Sequence, residues 1–124
     1  MVKQFRHGVQ KIIYEFPAGI VDPGELPIQA ASRELLEETG YKAGTITLIG
    51  NIHPCPSFMT NTSFTFIAQD LTFTGEQHLD THELLEPVIM PITTVEDHIN
   101  KGKEEFSNSQ TIVSFHWYKQ FMKG

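Results

Sequence analysis

The chain of 124 residues holds a single cysteine, Cys55, so no internal disulfide can form and nothing demands an oxidising compartment. Cys55 lies between two prolines with no basic neighbour to lower its pKa, which makes it a poor nucleophile. Positive charge is also scarce. Nine Lys and Arg face fifteen Asp and Glu, a net charge of −6, which argues against nucleic acid or an anionic membrane as a partner. A phosphate-bearing ligand stays open, provided metal ions supply the missing charge. No apolar run approaches the roughly 20 residues of a membrane span, and the N-terminus carries no signal-peptide pattern. A cytoplasmic protein is the expectation. Internal repeats, low-complexity tracts and linkers are absent, and the length suits one domain, 1–124, with its own core.

What is present is an alternation of short β patterns with three helical ones. Val2 to Arg6 reads as a short strand ending at His7-Gly8. Val9 to Phe16 reads as a stronger one, rich in β-branched and aromatic residues. Thr45 to Asn51 and Ser63 to Asp70 follow as strands, with Leu71 to Phe73 extending the latter. Leu84 to Met90 is the last, weakened by Pro87. Thr93 and Glu96 have capping-box spacing for a short helix to about Asn100. From Ser109 a closing amphipathic helix is predicted, with Ile112, Val113, Phe115, Tyr118 and Met122 inward and Trp117 in the core. The whole is an α/β (α+β) pattern.

The stretch from Gly19 to Tyr41, GIVDPGELPIQAASRELLEETGY, organises the rest. A turn-rich loop passes Pro27 into a helix over about Ile28–Thr39, and Gly40 suits the left-handed position past its end. With Glu34 at zero on a helical wheel, Glu37 and Glu38 fall at roughly −60° and +40°, and Ile28, Ala31 and Leu35 at roughly +60° to +120°. Two local rules are broken. Glu34 and Glu38 are like charges at i,i+4, and Glu37 and Glu38 occupy the last turn, where the helix dipole disfavours negative charge. A divalent cation among them would reverse both penalties. A solvated acidic face with Arg33 paired to Glu37 would explain the pattern without one.

The same stretch resembles the Nudix hydrolase signature: Gly19, Glu25, Arg33, Glu34, Leu35, Glu37, Glu38, Gly40 and Tyr41 stand at its specified spacings, with Tyr41 where an aliphatic residue is more usual. The resemblance implies the Nudix fold, a mixed sheet sandwiched between helices, and hydrolysis of a nucleoside diphosphate linked to another moiety. It implies Mg²⁺, or Mn²⁺, held by Glu34, Glu37, Glu38 and the carbonyl of Ala18. Such hard cations take oxygen ligands, neutralise a diphosphate and acidify a bound water. Arg33 would then orient the glutamates and Glu25 brace the loop. His53, His78 and His82 fit an oxygen-preferring site poorly.

The flanks narrow the resemblance. Gln4-Phe5-Arg6 with Glu15-Phe16-Pro17-Ala18-Gly19, and Pro56 past the helix, are similar to the ADP-ribose and nucleoside-diphosphate-sugar pyrophosphatase branch. That likeness implies substrate contacts by Arg6 and Glu15, although Arg6 could equally form a surface salt bridge. It makes Glu83 the candidate general base, in competition with Glu76 and Glu86. Ser57 and Asn61 depart from the strict ADP-ribose pattern and suggest a wider range of sugars. Members of the branch carry further N-terminal strands and form homodimers, so a homodimer is the expected assembly and the sheet is expected to lack strands here. A triphosphate hydrolase and a catalytically silent nucleotide-sugar sensor are the alternative readings.

Overall fold

The structure, a computed structural model, describes residues 1–75, 77 and 84–124. Their order is β1 (Val2–Arg6), β2 (Lys11–Glu15), α1 (Pro27–Thr39), β3 (Tyr41–Lys42), β4 (Thr45–Ile52), β5 (Ser63–Gln69), β6 (Thr72–Phe73), β7 (Leu85–Pro87), α2 (Ile92–Asn100), a 3-10 turn (Glu104–Phe106) and α3 (Ser109–Met122). The mixed α+β architecture expected from the sequence is the one observed. Its strands form three small sheets, ordered β2-β1-β7, β3-β6 and β4-β5, with antiparallel pairing throughout the described residues.

The first sheet positions half of the candidate site. β1 and β2 form a hairpin in which Val2 faces Glu15, Gln4 faces Ile13 and Arg6 faces Lys11. Residues directly opposite one another share a face of the pleat, so Gln4, Arg6 and Glu15 project from the same side as the buried Val2 and Ile13. The neighbouring pair Phe5 and Ile12 lies on the other side and is exposed. β2 starts at Lys11 and not at Val9, because the connection enters the left-handed region at Gln10 (φ 54°). β7 adds to the far side of β1, Val2 facing Pro87, and the Met1 ammonium continues the ladder by donating to the Val88 carbonyl at 2.9 Å. Burial lowers the pKa of that ammonium.

Three other local expectations are corrected. Leu71 to Phe73 does not extend β5. Asp70 turns the chain at φ 56°, and Thr72–Phe73 pairs instead with Tyr41–Lys42 just past α1. The Thr93–Glu96 capping box is not used, because α2 begins earlier, at Ile92 after Pro91, which places Thr93 inside the helix. α3 buries Thr111 and Phe115, whereas Ile112 and Met122 are exposed. Apolar residues lie all round this helix, so no single stripe dictates its orientation. Contacts with the β4-β5 hairpin do: Ser63 Oγ donates to Gln110 Oε1 (2.8 Å), and Thr65 and Ser114 hydroxyls meet at 3.0 Å.

The main core joins Val95 of α2, Phe106 and Phe115, with Tyr14 stacked on Phe106 at 5.1 Å. Trp117 is partly buried against β4. A Cβ built on Gly50 would lie 2.4 Å from its indole Cδ2, so the strand can approach the ring only because residue 50 is glycine. No helix among the described residues is long and apolar enough to cross a membrane. Gly50→Ala should therefore destabilise the protein by about 1–3 kcal/mol, the usual cost of overpacking a rigid side chain. Urea unfolding followed by Trp117 fluorescence checks this, and an unchanged midpoint would refute it.

Candidate functional site

α1 starts with its own local devices. The Leu26 N–H donates to the side chain of Gln29 at 2.9 Å, Pro27 occupies the first turn, and Gly40 at φ 77° closes the helix by donating to the Leu36 carbonyl at 2.8 Å. These set where the carboxylates of the last turns stand. Arg33 then gathers them. Its Nε and Nη2 bind the two oxygens of Glu25 at 2.9 and 3.0 Å, a bidentate pair across the preceding loop. Nη1 donates to Glu34 Oε1 at 2.8 Å and to Glu37 Oε2 at 3.1 Å, and Nη2 reaches the Ile20 carbonyl at 3.0 Å. Asp22 lies 3.4 Å away.

Arg33 thus fastens the loop to the helix and separates Glu34 from Glu37. The Arg33–Glu37 contact expected of a solvated face is one of several. Glu25 is the loop brace: besides Arg33 it accepts from the Asp22 N–H at 3.0 Å, and its own N–H donates to the Asp22 carbonyl at 3.0 Å. Hydrogen bonds from Arg33, then the Asp22 amide, hold the Glu25 carboxyl at about 2, below its ordinary 4.5. The same contacts, led by Glu25, raise the pKa of Arg33.

Glu38 takes a different environment. It is 5% exposed, and its Oε2 accepts from the Ala18 N–H at 3.1 Å. Glu34 presses on the same piece of backbone, because a Cβ at Gly19 would lie 2.0 Å from Glu34 Cδ. Two carboxylates one helical turn apart therefore flank the Ala18–Gly19 backbone, in a notch that a side chain at position 19 would fill. A hard divalent cation suits these oxygen donors. Among the described residues no three carboxylate, imidazole or thiol groups already converge closely enough to hold a metal, consistent with Arg33 Nη1 standing between Glu34 and Glu37. The carbonyls at the helix end are occupied as well: Gln77 Nε2 donates to the Glu38 carbonyl at 2.6 Å, and Thr74 donates to the Gly40 carbonyl at 2.8 Å from both N–H and hydroxyl.

Glu15 leads into the site from the first sheet, three residues before Ala18. It is buried, and Arg6 grips it bidentately, Nε to Oε2 at 2.6 Å and Nη2 to Oε1 at 2.9 Å. Gln4 Nε2 (3.2 Å) and Asn108 Nδ2 (2.9 Å) complete four donors. The Glu15 hydrogen bonds raise the pKa of Arg6, and the charge of Glu38 adds to the effect, so the two clusters share one electrostatic field. Of the sequence-predicted residues, Ala18, Gly19, Glu25, Arg33, Glu34, Glu37 and Glu38 come together around the loop, and Arg6 with Glu15 lies beside them. Leu35 is partly buried, and Tyr41 tilts against Phe73 at 5.1 Å. Glu86 sits on β7 opposite Lys3. Glu83 and Glu76, with His78 and His82, lie outside the described residues. Asn108 was not anticipated, although an Asn directly before a helix is itself a capping signal.

A family model for the NUDIX domain matches residues 1–110. The chain belongs to the Nudix family. It is 40% identical over 94 residues to the ADP-ribose pyrophosphatase of Bacillus subtilis (strain 168), an alignment that covers 75% of this chain and 50% of that protein. It is 26% identical over 124 residues to the ADP compounds hydrolase NudE of Escherichia coli (strain K12), covering 100% of this chain and 65% of that one. A crystal structure of an ADP compounds hydrolase superposes with a TM-score of 0.88 at 26% identity, over 99% of this chain and 65% of the other. The chain thus spans between half and two thirds of the length of these relatives.

The depressed pKa of Glu25 has a pH signature. A carboxyl bound more tightly as its anion stabilises the fold above its ordinary pKa, and that stabilisation is lost as pH falls from about 4.5 through about 2. Glu25→Gln should be less stable than the parent near neutrality, with the gap narrowing across that window. Urea midpoints of both proteins from pH 6 to 2.5 measure it, and a pH-independent gap would contradict the assignment.

Proposed function

We propose that residues 1–124 act as one Nudix hydrolase domain that cleaves the diphosphate of ADP-ribose or a related nucleoside diphosphate sugar, giving a nucleoside monophosphate and a sugar phosphate. The observation that carries the reading is the pair Glu34 and Glu38 pressed against the Ala18–Gly19 backbone, with Arg33 holding Glu34 and Glu37 from behind. The names of the relatives from Bacillus subtilis and Escherichia coli support the substrate class.

In this reading Glu34, Glu37, Glu38 and the Ala18 carbonyl hold Mg²⁺, with Mn²⁺ as a substitute. The bound cations supply charge to neutralise the diphosphate and to acidify a water. The protein's part is orientation. Glu25 and Arg33 lock the loop to the helix, which fixes the backbone that carries the carboxylates. Glu38 is held in place by the hydrogen bond its Oε2 accepts from the Ala18 amide. Arg6, half exposed, contacts the substrate phosphates, and Glu15 beneath it sets the direction of the guanidinium. Glu83 serves as general base. The protein works as a cytoplasmic homodimer, an assembly that the exposed apolar pair Phe5 and Ile12 on the first sheet supports.

Incubation with Mg²⁺ and a panel of ADP-ribose, other nucleoside diphosphate sugars and nucleoside triphosphates tests the reaction. Orthophosphate should appear from the sugar nucleotides only after added phosphatase, and no pyrophosphate should form from triphosphates. No turnover on any panel member would refute the proposal. Glu38→Gln keeps an acceptor for Ala18 but loses the charge, and should abolish turnover while leaving the fold intact. Retained turnover would remove Glu38 from the site.

Gly19→Ala makes a geometric prediction. The atom it meets ends a flexible side chain, so the Glu34 carboxylate moves and the fold does not. The thermal midpoint should shift by only a few degrees, and kcat should fall about 100-fold, as displacements near 1 Å do. Wild-type kcat would show that Glu34 has no fixed position to lose.

A further inference from the structure

Asn108 uses both ends of its amide at once. Its Oδ1 accepts from the backbone N–H groups of Gln110 (2.8 Å) and Thr111 (3.3 Å), capping α3. Its Nδ2 donates to Glu15 Oε1 at 2.9 Å, joining the start of α3 to the end of β2. Capping alone does not call for an amide, because Ser and Asp cap a helix about as well. Glu15 does call for one. A carboxylate only 7% exposed is costly unless its oxygens are hydrogen-bonded. An aspartate at 108 would bring a like charge against it, and a serine would stop short of it. Arg6 and Asn108 also line one open cleft, together with Val9, Ile13 and Ser107, so a ligand reaching the guanidinium there would lie beside the start of α3.

We infer that Asn108 is a positioning residue for Arg6. By holding Glu15 Oε1 it fixes the carboxylate that fixes the guanidinium, and it ties the C-terminal helix to the substrate-binding side of the site. The inference rests on the proposed contact between Arg6 and substrate. Gln4 supports the same carboxylate through Oε2, so Glu15 is held at one oxygen from its own sheet and at the other from a helix remote in sequence.

The protein contains two arginines, Arg6 and Arg33, so its arginine Nε–H spectrum has two NMR signals, and the loss of one in Arg6→Lys assigns both. Asn108→Ser and Asn108→Asp each keep a cap oxygen. Asn108→Ser should stay within a few degrees of the parent thermal midpoint, and Asn108→Asp, with its like charge against Glu15, should fall further. The Arg6 Nε–H should exchange with solvent roughly tenfold faster in each, with Arg33 unchanged, the loss expected for one charge-assisted hydrogen bond. In kinetics on ADP-ribose with Mg²⁺, KM should rise about tenfold, more for the aspartate, while kcat changes less than about threefold. Parent-like Arg6 exchange in both variants overturns the inference and leaves Asn108 a helix cap. Faster exchange with an unchanged KM overturns it too, because the pose of Arg6 would then be irrelevant to binding. If the parent does not turn over ADP-ribose, the proposed substrate falls, and the exchange of Arg6 still decides whether Asn108 positions it.

Discussion

A single guanidinium makes the acidic end of α1 possible. Glu34, Glu37 and Glu38 crowd the last turns of a helix whose dipole already disfavours them, in a protein carrying a net charge of −6. Arg33 offsets that charge from inside the cluster, bonding to Glu25, Glu34 and Glu37 and to the Ile20 carbonyl. Lysine could carry the same charge but not the same geometry. The planar fork spans two oxygens of Glu25 on one edge while Nη1 divides Glu34 from Glu37. Loop, helix and carboxylates are therefore one mechanical unit, and the loop needs little secondary structure of its own.

The second cation repeats the design on the neighbouring sheet. Arg6 grips Glu15 as Arg33 grips Glu25, and in both cases an acid contributes orientation to a guanidinium. The chain from Glu15 to Gly19 physically joins the two clusters, and the charge of Glu38 is felt at Arg6. The difference lies in exposure. The Arg33 side chain is 28% exposed and that of Arg6 50%, which suits one to internal scaffolding and the other to meeting a ligand.

Much of this was legible because it is local. The helix limits follow from Pro27 and Gly40, and the family, with Glu25 as its loop brace, from nine positions at fixed intervals. Errors fell where the chain's neighbours decide the outcome. Thr72–Phe73 looks like more of β5, yet Asp70 turns it toward Tyr41–Lys42. The inward face of α3 could not be read from a helix apolar all round, whose docking depends on Ser63 and Thr65 of another strand.

The sequence by itself determined the identity and spacing of the acids, because an α-helix converts spacing into direction without help from other elements. It also determined the sign of the problem those acids pose. Tertiary structure decided what each acid does about it. That Glu38 meets the Ala18 amide, that Glu34 packs where Gly19 has no side chain, and that Asn108 reaches Glu15 all depend on segments distant in sequence meeting in space. No periodicity encodes such meetings, since they are fixed by the packing of whole elements and by the need to satisfy buried polar groups.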